Sequence, residues 1–259
     1  MVQIRFRKII LGSLFLLSFS LLLVRCGPRK EADVLVATAA NVQFAMDRLA
    51  EAFHEETGYT VESVLGSSGK LSAQIMHGAP YDLFVSADLQ YPQHLADKGM
   101  TRGRPRVYAF GSLVMWSLHD SIPLDSAGLH HPALQKVALA NPELAPYGIA
   151  ARSALIKWDV WEDLRGKMVF GESIAQTNQF VLSEAAQLGF TAKSVVMAKT
   201  NQGVGRWKEV PRDLYSPIAQ GAVRLTHPGE NEEASNAFFD FLFTPKAQQI
   251  LRDYGYYLP

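Results

Sequence analysis

Short apolar runs alternate along this chain with longer segments whose apolar positions recur every three or four residues, the pattern of strands alternating with helices. The run "DVLVAT" (33–38) reads as a strand. Val42, Met46, Leu49, Ala50 and Phe53 then recur at helical spacing, with Asn41 suited to the N-cap and Gly58 to the stop. "TVESVL" (60–65) alternates as a second strand and "GSSG" (66–69) breaks it. Leu71 and Ile75 open a short helix, and "YDLFVSA" (81–87) is a third strand. This β-α-β-α-β order predicts a parallel sheet with helices on its faces.

Near residue 106 the pattern changes. "VYAFGSLVMWSL" (107–118) is long and apolar, as a strand crossing between two lobes would be. A second α/β set follows: strands at 136–141 and 167–171, a helix over 147–161 entered after Pro146, and a helix over 174–189 ending at Gly189. Residues 216–225 are again strand-like, and 231–255 read as two helices broken at Pro245. The prediction is two α/β lobes around a hinged cleft, one from 33–108 with 226–259 and the other from 109–225.

The N-terminus stands apart. Arg5, Arg7 and Lys8 precede a run from Ile9 to Val24 without a charge, too short for a typical membrane span and matching a signal peptide over residues 1–26. Cys26, the only cysteine, follows at once, as at a bacterial lipoprotein processing site, although Arg25 departs from the small residue usual before that cysteine. Two readings stay open: a lipid anchor at Cys26, or a soluble exported protein cleaved a few residues later. Four of the 25 basic residues lie in this segment, leaving 21 against 25 acidic ones, a net charge of −4. With no basic stripe, nothing in the sequence points to nucleic acid as a partner.

Chemistry enters through the turns. Ala39-Ala40-Asn41, Gly66-Ser67-Ser68-Gly69 and Ser173-Ile174 each follow a strand and open a helix with small or neutral residues, and Ala145-Pro146-Tyr147-Gly148 enters a helix through proline. Helix N-termini present unpaired N–H groups and the positive end of the macrodipole, so they can hold an anion without a charged side chain. In parallel α/β sheets such turns gather where ligands bind. The same turns also occur in every α/β protein, where Asn and Ser act simply as caps. Other motifs carry less. "GSSGK" lacks the Ser/Thr and the leading glycine of a phosphate loop, and the seven histidines show no metal-ligand spacing. No G-x-S-x-G elbow is present, which leaves Asp82 and Asp88 as the acids available to an exported α/β enzyme.

The stretches "ATAANVQFAMDRLAEAFHEETG", "VLGSSGKLSAQIMHGAPYDLFVSADLQYPQHLADKG", "ALANPELAPYGIAA" and "FFDFLFTPKAQQILRDYGYYLP", in this order, resemble the periplasmic molybdate-binding proteins of ABC importers. The resemblance runs from about Asp33 to the end. It implies a type II periplasmic binding protein fold: α/β, two lobes, mixed sheets with flanking helices and the ligand in the interlobe cleft. It implies a monomeric, periplasmic, non-catalytic protein without a cofactor that captures molybdate or tungstate for an ABC permease. The molybdenum would be held as an oxyanion by neutral donors, with no side chain ligating a metal cation. The residues it implies are Asn41 and Ala40 from the first turn, Ser68 with Ser67 beside it, Tyr147, and Ile174 through its backbone N–H. Asn41 is expected to add its side-chain amide, Tyr147 to compensate for a tyrosine donor that Ala192 replaces, and Lys70 to point to solvent. Another tetrahedral oxyanion or a small organic anion on the same fold is the nearest alternative.

Overall fold

The computed structural model describes residues 32–226 and 231–259, and the segment 1–26 with Cys26 lies outside them. The expected alternation of strands and helices builds two five-stranded sheets. In the first, β1 (Val34–Ala39) lies parallel to β2 (Val61–Gly66) and β3 (Leu83–Val85). The helices that return the chain are α1 (Gln43–Thr57), α2 (Ser68–Met76) and, before β4 (Thr101–Gly111), α3 (Gln90–Asp97). Gly58 ends α1 with φ 77°, a left-handed conformation that a residue with a Cβ adopts at a cost, and its N–H donates to the His54 carbonyl.

The second sheet starts with β5 (Leu113–Ser117), which follows β4 after Ser112 alone. Residues 107–118 therefore do cross between lobes, but as two strands in different sheets. After the short α4 (Ser126–Leu129) come β6 (Val137–Ala140), α5 (Pro146–Lys157), β7 (Met168–Gly171) and α6 (Ile174–Leu182). Next are β8 (Leu188–Ala192), α7 (Lys193–Val196) and β9 (Arg206–Glu209). The strand order is β7-β6-β8-β5-β9, with β6 parallel to its neighbours and β5 antiparallel to β8 and β9. The chain then returns to the first sheet through β10 (Ile218–Leu225), which inserts antiparallel between β3 and β4. Two helices close the chain, α8 (Glu232–Phe241) and α9 (Pro245–Asp253).

Three sequence expectations need correction. The helix predicted over 174–189 stops at Leu182, because "LGFTA" is the buried central strand β8. Gly189 is what lets α6 approach that strand, since a Cβ there would lie 2.4 Å from Val181 Cγ2. Strand 218–225, assigned by sequence to the second lobe, is hydrogen-bonded within the first sheet; its apolar pattern shows that it is buried but not which strands it joins. Asn41 is not a cap. It sits inside a 3₁₀ turn, Ala40–Val42, and makes no capping bond.

The first lobe buries apolar side chains on both faces of its sheet. Val36, Leu49, Phe53 and Phe238 fill one face, where the Phe53 and Phe238 rings meet edge-on at 5.0 Å, and Ala37, Leu71, Phe84 and Leu95 fill the other. In the second lobe Trp116, Leu139, Leu155 and Phe190 share one core. Burial of each such side chain contributes about 1.5–3 kcal/mol, which makes each lobe a firm platform for the turns at its strand ends.

Candidate functional site

Those turns converge. The carboxyl ends of β1, β2 and β3 and the starts of α5 and α6 enclose a cavity of about 10 Å³ lined by Ala39, Ala40, Asn41, Gly66, Ser67, Ser68, Ala87, Ala145, Pro146, Tyr147 and Ile174. All six residues singled out from the sequence are in this lining, and every one of them is buried. No lining residue carries a charge. The volume is near the smallest that holds a single water, so the lobes stand closed and must part for a larger guest to enter.

The donors come from the local folding of each turn. Pro146 occupies the first position of α5, where its missing N–H costs nothing, and Tyr147 follows as a helix-start donor. Ser173 caps α6 by accepting from Gln176 N–H, which leaves Ile174 at the first helical position. Ser67 and Ser68 open α2. Ser68 Oγ accepts the Ala87 N–H at 2.9 Å, so its own hydrogen remains available to a guest. Ser67 Oγ is buried with no hydrogen-bond partner among the described residues.

Asn41 departs from expectation. Its Nδ2 donates to Gln220 Oε1 at 2.8 Å and to the Tyr256 hydroxyl at 3.0 Å. Gln220 sets this orientation, because its own Nε2 donates to the Ala87 and Ile218 carbonyls and so turns Oε1 toward Asn41. Both amide hydrogens of Asn41 are therefore spent on protein, and the expected side-chain donor is redirected away from the cavity. The Tyr147 hydroxyl lies close against Gly111: a Cβ there would be 2.0 Å from it and 2.9 Å from Gln220 Nε2. It is buried without a partner among the described residues, and burial pushes its pKa well up, as it does for Tyr108 and Tyr256.

The nearest charges are at the rim. Lys70 does not simply face solvent; its Nζ meets Glu172 Oε1 of the opposite lobe at 2.6 Å, with both side chains half exposed. Beside it the Gly69 N–H donates to the Leu144 carbonyl at 2.9 Å, again across the cleft. Neither carboxylate considered for an enzyme lines the cavity. Asp82 Oδ2 accepts the Leu35 N–H at 2.7 Å, and Asp88 accepts from Ser86 Oγ and the Tyr91 N–H, with burial raising its pKa. Gln220, Tyr256 and Ser194 escaped sequence reading; the one signal was a glutamine inside the otherwise apolar run "IAQGAV".

A family model for bacterial extracellular solute-binding proteins matches residues 34–257. The chain belongs to that family. Within it, this solute-binding protein is 40% identical over 230 residues to the molybdate-binding protein ModA of Rhodobacter capsulatus, covering 88% of this chain and 90% of that one. It is 40% identical over 227 residues to ModA of Azotobacter vinelandii, covering 87% and 90%. A solved structure of the Azotobacter vinelandii periplasmic molybdate-binding protein superposes with a TM-score of 0.82 at 34% identity, over 87% of this chain and 99% of that one. The two sheets and their crossings are thus the two-lobe, type II arrangement of periplasmic binding proteins, and the family places the protein outside the cytoplasm.

Proposed function

We propose that this protein captures molybdate, and tungstate as a guest of nearly the same size, and hands it to the permease of an ABC importer without chemical change. The observation that carries this reading is a small cavity into which four uncharged turns, two from each lobe, bring helix-start N–H groups and serine hydroxyls. Burying a dianion is very costly unless each oxygen is hydrogen-bonded, and bonds to an ionised acceptor are about twice as strong as neutral ones. Helix dipoles add favourable potential at no desolvation cost to a cation. The lining also selects against HPO4(2−), whose O–H would find no carboxylate or other charged acceptor and would compete for serine hydroxyls needed as donors. The 40% identical relatives bear the name molybdate-binding protein, which supports choosing this oxyanion over others that fit the fold.

Titration calorimetry with molybdate, tungstate, sulfate and phosphate tests the reading. The expected result is micromolar or tighter binding, about −8 kcal/mol or stronger, for the first two and none for phosphate. Tightest binding of sulfate or phosphate would overturn the assignment. We further propose that the protein acts as a monomer, anchored by lipid if Cys26 is acylated; the mass of the mature N-terminus decides between an anchored and a soluble form.

A further inference from the structure

Behind the cavity lies a second layer of buried polar groups that the capture of an anion does not itself require. The Asn41 carbonyl, in the first lobe, accepts from Ser194 Oγ at 2.6 Å. Ser194 belongs to the second lobe: it sits in α7 directly after β8, whose next residue, Lys193, donates its N–H to the Ser112 carbonyl at the crossing. The Tyr256 hydroxyl, fully buried and held neutral, receives Asn41 Nδ2 and lies 3.0 Å from the Asn41 carbonyl and 3.2 Å from Ser194 Oγ. From Asn41 the connections continue through Gln220 to the Ala87 carbonyl, and the Ala87 N–H holds Ser68 Oγ.

We propose that Ser194 is a positioning residue for the anion site: its hydroxyl reaches from the second lobe onto the Asn41 carbonyl and holds the Ala40–Val42 turn in its binding orientation while the lobes are closed. This inference rests on the oxyanion reading above for its affinity arm only. The geometry supports it in two ways. Ser194 is not in the cavity lining, so its hydroxyl does not serve the guest directly. The bond joins the lobes and ends on a residue that does line the cavity, so opening the cleft would remove the second lobe's hold on that turn and leave Tyr256 as its remaining partner at the Asn41 carbonyl.

The test compares wild type with Ser194→Ala and Ser194→Thr, which keeps the hydroxyl, in the full mature chain. Dissociation of radiolabelled molybdate is followed after a chase with unlabelled anion, and association by rapid mixing. Ser194→Ala should release molybdate roughly tenfold faster, the loss expected for one hydrogen bond, with an association rate unchanged within about twofold, and Ser194→Thr should restore retention. A purely structural role would lower thermal stability and alter both rates or neither. Amide exchange of the Ala40–Val42 turn in ligand-free protein gives an arm independent of the guest: faster exchange in Ser194→Ala, reversed in Ser194→Thr. Unchanged release together with unchanged exchange overturns the proposal. If wild type binds no molybdate, the oxyanion reading fails and the exchange comparison alone decides the role of Ser194.

Discussion

Ser67 and Ser68 stand side by side in one turn, yet their hydroxyls should respond oppositely to removal. In Ser68→Ala the Ala87 N–H, now paired at 2.9 Å with Ser68 Oγ inside a buried site, is left without a partner. An unsatisfied buried donor costs about 1–3 kcal/mol, so ligand-free Ser68→Ala should lose that much stability in urea unfolding. Ser67 Oγ has no partner to abandon among the described residues. Its removal deletes an unsatisfied polar atom, so ligand-free Ser67→Ala should change stability by no more than about 0.5 kcal/mol, or gain. Affinity should separate from stability. Each hydroxyl offered to an ionised oxygen is worth about 1.5–3 kcal/mol, or roughly 10- to 150-fold in Kd for molybdate by calorimetry. The informative pattern is a stable Ser67→Ala that binds poorly. A ligand-free Ser67→Ala destabilised by more than about 1 kcal/mol would mean the hydroxyl already serves the protein, and unchanged affinity in both variants would remove these serines from the site.

Gly111→Ala would set a methyl 2.0 Å from the Tyr147 hydroxyl, an overpacking worth about 1–3 kcal/mol; Tyr147→Phe should relieve part of it in a double-mutant cycle, and absence of relief would refute the contact. Burial holds the Tyr108, Tyr147 and Tyr256 hydroxyls neutral and raises their pKa values. For an acid raised on folding, the contribution to stability is whole below the unfolded pKa, about 10 for tyrosine, and is lost as pH climbs above it. Unfolding should therefore set in on the alkaline side of about pH 10, while molybdate affinity stays flat from about pH 6 to 9; a titration step in calorimetry within that window would contradict an uncharged lining.

What could be read from the chain and what could not divide along a physical line. The alternation of apolar runs with helical spacing identified β1, α1, β2 and β3 because each is encoded by its own residues. The four turns were visible for the same reason: small residues between a strand and a helix are a local signal. β8 was hidden because "VLSEAAQLGFTA" has good helix formers up to its glycine, yet the chain leaves the helix after Leu182, turns through a left-handed Glu184 (φ 57°) and enters β8. The place of β10 depends on strands more than a hundred positions upstream. The direction of the Asn41 amide is likewise set by Gln220, which is 179 positions away and has no local signature of that role.

The insertion of β10 between β3 and β4 has a consequence for assembly. Among the described residues, β10 is the one strand that pairs with β4, apart from a single bridge from Phe110 to Tyr257, and β10 ends at Leu225, after the whole second lobe has been made. During synthesis from the N-terminus, the first lobe must wait as an unfinished three-stranded half, its edge at β3 unpaired, while the second lobe, continuous in sequence from β5 to β9, is free to fold first. Completion of the first sheet thus depends on β10, late in the chain, and a chain ending before residue 218 would have nothing to pair β3 with β4.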